Sequence, residues 1–437
     1  MDKFYKLIKA LREWLTCPMF GFVQGHAYLT QSDLVRIQNL IGKSDQAEVA
    51  EFESRFAAIV GDGRAVSYAA GRMGFYSLMK TLGIGGGDEV VLLGSTCSVM
   101  VNAVLRARAM PVFSDTDPDT FGSSAEAIQK CITPRTRMIV VQHSFGIPCD
   151  IRPIVKLSRV HEIFLLEDCA ISLGSSFDGI QVGNFGDAAL FSSDHLKPIN
   201  TLTGGLIYTR DAGLFHKLRD DLDNTPELPL DKQRALWNRL LIERQYCNPS
   251  KYGRMKVMDY IMVIKKILLK QDLPFLYDDF HATPGSSYPY PARLPAFLAA
   301  VGLHEIQRWP QTANDRKEIL KELIKIAQNS EIGKYLPKAY FNPKLDIIPL
   351  RFSWTQPDGA DMRDRLSDFV YVTLTWFMQP IIATQDPLEQ FGYVRGACPI
   401  SEKAGMGMVN LPCNLSRDAS KHLAELFHNE LTSTLIH

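Results

Sequence analysis

The chain has no excess of either charge: 48 Lys and Arg balance 48 Asp and Glu, giving a formal net charge of zero over 437 residues. With no one-sign tail and no recognisable DNA-binding helix pair, a nucleic-acid partner is excluded on electrostatic grounds. Its eight cysteines, Cys17, Cys97, Cys131, Cys149, Cys169, Cys247, Cys398 and Cys413, include no CxxC pair. That spacing suggests neither a metal site nor a disulfide framework, and it suits a reducing cytoplasm. The first twenty residues, MDKFYKLIKALREWLTCPMF, are basic and amphipathic but lack a long apolar core, so they read as neither signal peptide nor membrane span. There is no internal repeat and no low-complexity tract.

What the chain does have is alternation. Residues 1–60 read as a helical segment: SDLVRIQNLIG and AEVAEFESRFAAIVG carry apolar residues at helical spacing, each closed by glycine. From there strands and helices take turns. RAVSYAA, DEVVLLG, MPVFSD, RMIVVQHS, IFLLEDCA, AALFSS and GGLIYTR read as strands, and GRMGFYSLMKTLG, CSVMVNAVLRARA and SSAEAIQKCI as helices. Short apolar runs joined by amphipathic crossovers specify an α/β fold with a mainly parallel sheet covered on both faces. The large α/β domain is expected over 61–283, with a helical insertion at about 213–283. Within the insertion, KVMDYIMVIKKILLK is basic and amphipathic, and packing against the body or a second subunit is preferred over a membrane surface. A Pro/Gly/Ser-rich junction, ATPGSSYPYPARLP, leads into a smaller α+β C-terminal domain, 284–437, in which LDIIPLRFSW, FVYVTLTW and MVNLPCN read as strands.

Ligands of open parallel sheets sit at the carboxyl ends of the strands. FLLEDCA ends in Glu167 and Asp168, which point to opposite faces, so one of them can meet a ligand there. About thirty residues later, FSSDHLKPINTLTGG sets Lys197 in a Ser/Gly-rich loop. An amine for a Schiff base, an anion for a pyridine nitrogen, and hydroxyls with helix-start amides for a phosphate are what pyridoxal 5'-phosphate chemistry requires. The same residues also suit a solvated lysine and a turn-forming aspartate. Asp194 and His195, side by side, invite a dyad reading, though loop neighbours seldom form one.

The stretch LLEDCAISLGSSFDGIQVGNFGDAALFSSDHLKPINTLTGG resembles the central motif of the DegT/DnrJ/StrS sugar aminotransferases. So do EVAEFESRFAAIVG, GIGGGDEVVLLGSTCSVMVNAVLRARAMPVFSDTDPDTFG, HSFGIPCDI and CPISEKAGMGMVNLPCN, in the family's order of blocks over about 30–420. The resemblance implies a fold type I, aspartate-aminotransferase-like architecture, pyridoxal 5'-phosphate as cofactor, and a homodimer with its site at the two-fold interface. It implies Lys197 as the Schiff-base lysine and proton carrier, Asp168 as partner of the pyridine nitrogen, Ser192 as a phosphate ligand, and Gly71–Arg72 as the phosphate-binding helix start. Cys97 and Ile171 align with positions that touch the cofactor ring, and Arg293 and His195 are candidate substrate residues.

Several residues depart from the family pattern. Arg72 replaces a threonine, Cys97 the ring-stacking aromatic, Ile171 a glutamine, Thr203 a glutamate, and Pro291 an asparagine. Lys197 stands where related dehydratases have histidine, which favours transamination over dehydration. The implied reaction takes nitrogen from L-glutamate to a keto or aldehyde sugar. Within the family the chain most resembles the enzyme that aminates a free acidic sugar, 8-oxo-3-deoxy-octulosonate, for lipopolysaccharide. A nucleotide-linked keto sugar, a dehydratase or oxidase reaction, and a non-catalytic cofactor-binding regulator are the alternatives.

Overall fold

The structure is a computed structural model that describes residues 18–255, 280–282, 285–384 and 386–433. The amphipathic segment KVMDYIMVIKKILLK lies outside the described residues.

Two helices precede the sheet, α1 (Gln31–Gln38) and α2 (Gln46–Val60). Both begin where the sequence supplies a cap: the Thr30 side chain accepts from Asp33 N–H, and Asp45 from Glu48 N–H. The alternation follows as β1 (Arg64–Tyr68), α3 (Gly71–Thr81), β2 (Glu89–Leu93), α4 (Ser98–Arg106), β3 (Met110–Ser114), α5 (Ala125–Gln129), β4 (Thr136–Gln142), α6 (Ile151–Val160) and β5 (Phe164–Asp168). Two short strands, β6 (Ser176–Phe177) and β7 (Ile180–Gln181), lead to β8 (Ala188–Ser192) and β9 (Gly205–Thr209). Helices α7 (Ala212–Asp223), α8 (Leu230–Tyr246) and α9 (Ala296–Gln328) connect to β10 (Leu345–Asp346), β11 (Arg351–Thr355), α10 (Gly359–Leu366), α11 (Pro399–Gly407), β12 (Met408–Pro412) and α12 (Arg417–Ser433).

The central sheet has seven strands in the order β1-β9-β8-β5-β4-β2-β3. Every pairing from β8 to β3 is parallel, and β9 runs antiparallel to both its neighbours. All five residues of β2 and of β9 are buried, as expected for strands covered on both faces. Phe52, Phe56, Val90, Leu166, Phe191 and Ile207 belong to one continuous core. A second core joins Phe352, Trp354, Val409, Leu411 and Phe427 of the C-terminal part to Met19, Phe20, Phe22 and Val23 near the start of the described chain. Helix α9, 33 residues long, contributes Phe297–Val301 to the first core and Ile319, Leu320 and Leu323 to the second. The cores therefore part within this helix, beyond the sequence boundary at 283–284.

FVYVTLTW, read as a strand, is not one. Val372–Leu374 form a short 3-10 turn, and the segment makes a single parallel bridge, Phe20 to Val370. Its backbone bonds go to the N-terminal segment, Phe20 N–H to Phe369 O and Tyr371 N–H to Phe20 O. The β-branched and aromatic pattern is present, but the segment bonds to Phe20 and not to the two-stranded sheet of β11 and β12.

Candidate active site

The lysine loop joins β8 to antiparallel β9, and the glycines that close it are needed for packing. Gly204 has φ +149°, and a Cβ there would lie 2.4 Å from Ser193 Oγ; a Cβ on Gly205 would lie 2.2 Å from the Gly71 Cα. The start of β9 is thus pressed against the start of α3. Within the loop, Thr201 N–H donates to Ser193 O, His195 N–H to Leu202 O, and Lys197 N–H to Asp194 O. Thr203, in place of glutamate, donates its hydroxyl to Ala69 O at 2.7 Å and ties the loop to the residue before the helix cap.

These elements enclose a cavity of about 430 Å³ at the carboxyl end of the sheet. Lys197, Asp168, Gly71, Arg72, Cys97, Ile171, Ser192 and His195 all line it, so the structure brings together every expected site residue except Arg293. Arg293 is directed elsewhere: its guanidinium lies 3.2 Å from Glu227, and its N–H donates to Pro226 O. Pro291 follows a cis peptide and is also not among the lining residues.

Glu167 and Asp168 divide as strand alternation requires. Glu167 is fully buried and accepts N–H groups from Gly183, Phe185 and Gly186, while His143 Nε2 lies 3.2 Å away. His143 Nδ1 accepts the Cys149 N–H, so the Nε2 proton points at Glu167. With its partners spent, this cluster, which also contains Cys169, reads as a buttress behind the sheet and not as a ligand set. Asp168 faces the cavity and accepts Ala170 N–H at 3.0 Å. Burial pushes its pKa above the ordinary aspartate value, against the Ala170 bond and the charge of Lys197.

Helix α3 starts at Gly71 from an extended Ala70 that provides no side-chain cap. Its first amides and positive dipole end lie at the cavity beside Ser192 and Arg72, an arrangement suited to a phosphate. Burial raises the Cys97 thiol pKa, so the sulfur is no thiolate nucleophile. Cys97 and Ile171 pack in one apolar cluster with Phe377 and Ile382. The backbone of Ile382 docks there as a strand would, accepting Ser98 N–H and donating to Thr96 O. The two departures from the family pattern therefore share one apolar cluster, to which Phe377 contributes an aromatic ring.

Sequence reasoning missed three further contributors. The Trp376 ring centroid lies 4.8 Å from Lys197 Nζ and 3.9 Å from the Arg351 guanidinium carbon. Its segment looked like a buried strand, so nothing marked it. Arg239 and Glu243 of α8 also sit at this wall: Arg239 lines the cavity, and its Nε–H donates to Glu243 Oε1 at 2.8 Å. Their i, i+4 spacing in RLLIE was the available signal. Glu243 is fully buried and meets His195 Nδ1 at 3.3 Å and Asn200 Nδ2–H at 3.2 Å. Burial alone would raise its pKa, but the His195 bond and the charge of Arg239 bring it down to about 2.

A lysine and a buried carboxylate share the carboxyl end of this doubly covered sheet, beside an uncapped helix start, in an architecture of fold type I. The sequence model of the DegT/DnrJ/EryC1/StrS aminotransferase family matches residues 38–239, a stretch that contains Lys197 and Asp168. The GDP-perosamine synthase of Caulobacter vibrioides is 37% identical over 171 residues, covering 39% of this chain and 46% of that protein. The L-glutamine:2-deoxy-scyllo-inosose aminotransferase of Streptomyces fradiae is 37% identical over 170 residues, covering 38% and 40%. The chain thus spans less than half the length of these curated relatives. In structure it is similar to the aminotransferase TlmJ from Streptoalloteichus hindustanus, with a TM-score of 0.69 at 22% identity over 95% of this chain and all of that one. Helicobacter pylori PseC gives 0.68 at 18% identity, covering 95% and 100%.

Pyridoxal 5'-phosphate is the cofactor that goes with this family and fold, and the residues fit it. Asp168 is a buried carboxylate whose ionised form lacks full compensation, which a protonated ring nitrogen would supply. The uncapped α3 start and Ser192 suit the phosphate, and the Lys197 amine shares the cavity.

Proposed function

We propose that the protein is an aminotransferase that moves the amino group of L-glutamate to a keto or aldehyde sugar. The observation that carries this reading is the placement of Lys197 and Asp168 in one cavity with the uncapped start of α3. Pyridoxal phosphate, when bound, supplies an electron sink that stabilises negative charge on the substrate carbon. Asp168 would keep the ring nitrogen protonated, while Ser192, Arg72 and the first amides of α3 would hold the phosphate. Lys197 would anchor the cofactor and, once displaced by the substrate amine, carry a proton to and from the substrate carbon. Trp376, Phe377, Tyr371 and Leu374, all lining residues, would exclude water.

The acceptor proposed is a free acidic sugar with a terminal aldehyde, 8-oxo-3-deoxy-octulosonate, converted to the 8-amino-3,8-dideoxy sugar used in lipopolysaccharide. The support is the resemblance together with a cavity that sets Arg239 and His195 among apolar walls. The name of the Caulobacter vibrioides relative favours a second reading, a nucleotide-linked keto sugar. That of the Streptomyces fradiae relative favours L-glutamine as donor. Absorbance spectra of the cofactor-loaded protein before and after each donor, followed by a panel of free and nucleotide-linked sugars, decide among them. Conversion of the cofactor band by glutamate or glutamine establishes the donor half-reaction; a band untouched by any amino acid rejects transamination. The enzyme is proposed to work in the cytoplasm as a homodimer, and a fully active monomer in sedimentation would reject the dimer.

A further inference from the structure

Deepening the aminotransferase reading, on which this rests, we infer that Arg239, oriented by Glu243, is the specificity-determining anchor for the substrate carboxylate. Every amino-acid donor brings a carboxylate into the cavity, and an acidic acceptor brings one in its turn.

The cavity-lining cations divide by position. Lys197 is the reacting amine, and Arg72 stands at the start of α3 among the groups suited to phosphate. Arg293, the sequence-based candidate for a carboxylate, pairs with Glu227 and is absent from the lining. Arg239 enters from α8, with its side chain only 3% exposed, into a cavity whose lining also includes the apolar residues Val23, Leu196 and Trp376. In such a dry wall a planar guanidinium binds a carboxylate far more strongly than at a surface.

The orientation of Arg239 is fixed from behind. Its Nε–H is held by Glu243, whose other oxygen accepts Asn200 Nδ2–H at 3.2 Å, and Asn200 also donates to Gln24 O at 2.9 Å. Asn200 lies three residues beyond Lys197 in the same loop, so the anchor and the reacting amine share one hydrogen-bonded frame. His195, expected to touch substrate, meets Glu243 and acts here as a positioning residue. A buried Arg–Glu pair adds little stability over apolar residues of equal size, which makes a binding role the better account of its place in the wall.

The test uses the cofactor-loaded protein and glutarate, a dicarboxylate with no amine to transfer. Calorimetry should show glutarate binding to the wild type, weakened roughly 10- to 100-fold in Arg239→Gln. In single-turnover reactions with L-glutamate, the half-saturating concentration should rise more than the maximal rate falls. Should the single variant fail to fold, the pair Arg239→Gln with Glu243→Gln removes both charges while keeping two amides in contact, and it should show the same loss. Wild-type glutarate binding in either variant, or no glutarate binding by the wild type, overturns the anchor. If glutarate binding behaves as expected but no amino acid alters the cofactor band, the anchor stands and transamination falls.

Discussion

Burial makes the Asp168 carboxylate harder to ionise than an exposed one, so its contribution to stability is full below the ordinary aspartate pKa and declines as pH rises through the folded value. Asp168→Asn is therefore expected to raise the melting midpoint of the cofactor-free protein at neutral pH by on the order of a degree or two. In the loaded enzyme the same change should slow the donor half-reaction about 100-fold or more. Calorimetry and stopped-flow absorbance read the two effects separately. Glu243 has the opposite sign. Its pKa is held at about 2, so its contribution is present above the ordinary glutamate value of 4.5 and is lost as pH falls between them. Glu243→Gln should cost on the order of a few kcal/mol at pH 7 and flatten the acid limb of stability over that window, measured by denaturant titration. Lys197→Ala should leave no cofactor mass fixed to the chain after borohydride reduction, where the wild type retains it on the Lys197 peptide.

At the level of elements, the close approach of β9 to α3 is the most exacting contact. A Cβ on Gly205 would lie 2.2 Å from the Gly71 Cα and 2.3 Å from its nitrogen, both backbone atoms that cannot rotate away. Gly205→Ala is expected to displace the helix start, at a cost of about 1–3 kcal/mol, and to weaken cofactor affinity more than substrate affinity; fluorescence titration with pyridoxal phosphate and thermal melting report the two losses. Much of this architecture was legible in the sequence. Strands buried on both faces leave unbroken apolar runs such as VVLL, and the glycines after Lys197 marked its Ser/Gly-rich loop. The wall opposite was not legible. Trp376 lies in a stretch with strand chemistry that joins no sheet, and Arg239 became a cavity residue only through the fold of α8 against the lysine loop. Arg293 looked suitable by alignment, but Glu227 claims it. Local pattern reports periodicity and turns; it does not report which distant side chain will meet which.

Across the whole molecule, the two cores share α9, and the cavity draws lining from both, with Asp168 and Lys197 from the sheet side and Tyr371 and Trp376 from the C-terminal side. Among the described residues no helix is long and apolar enough to cross a membrane. Residues 19–23 act as a strap: Phe20 bonds through its backbone to Phe369 and Tyr371, and Met19, Phe20, Phe22 and Val23 join the second core. Deleting residues 1–24 is therefore expected to leave the sheet folded by far-ultraviolet circular dichroism while opening the Tyr371–Trp376 wall to solvent, seen as faster hydrogen exchange across 366–378. The strap also sets a schedule. At translation rates of about 5–20 residues per second, Phe20 leaves the ribosome roughly 20–70 s before Phe369 and Tyr371 exist to receive it. For nearly the whole of its synthesis the chain carries an apolar segment with no place to dock, so its exposure to chaperones and proteases is set by gene length as much as by sequence.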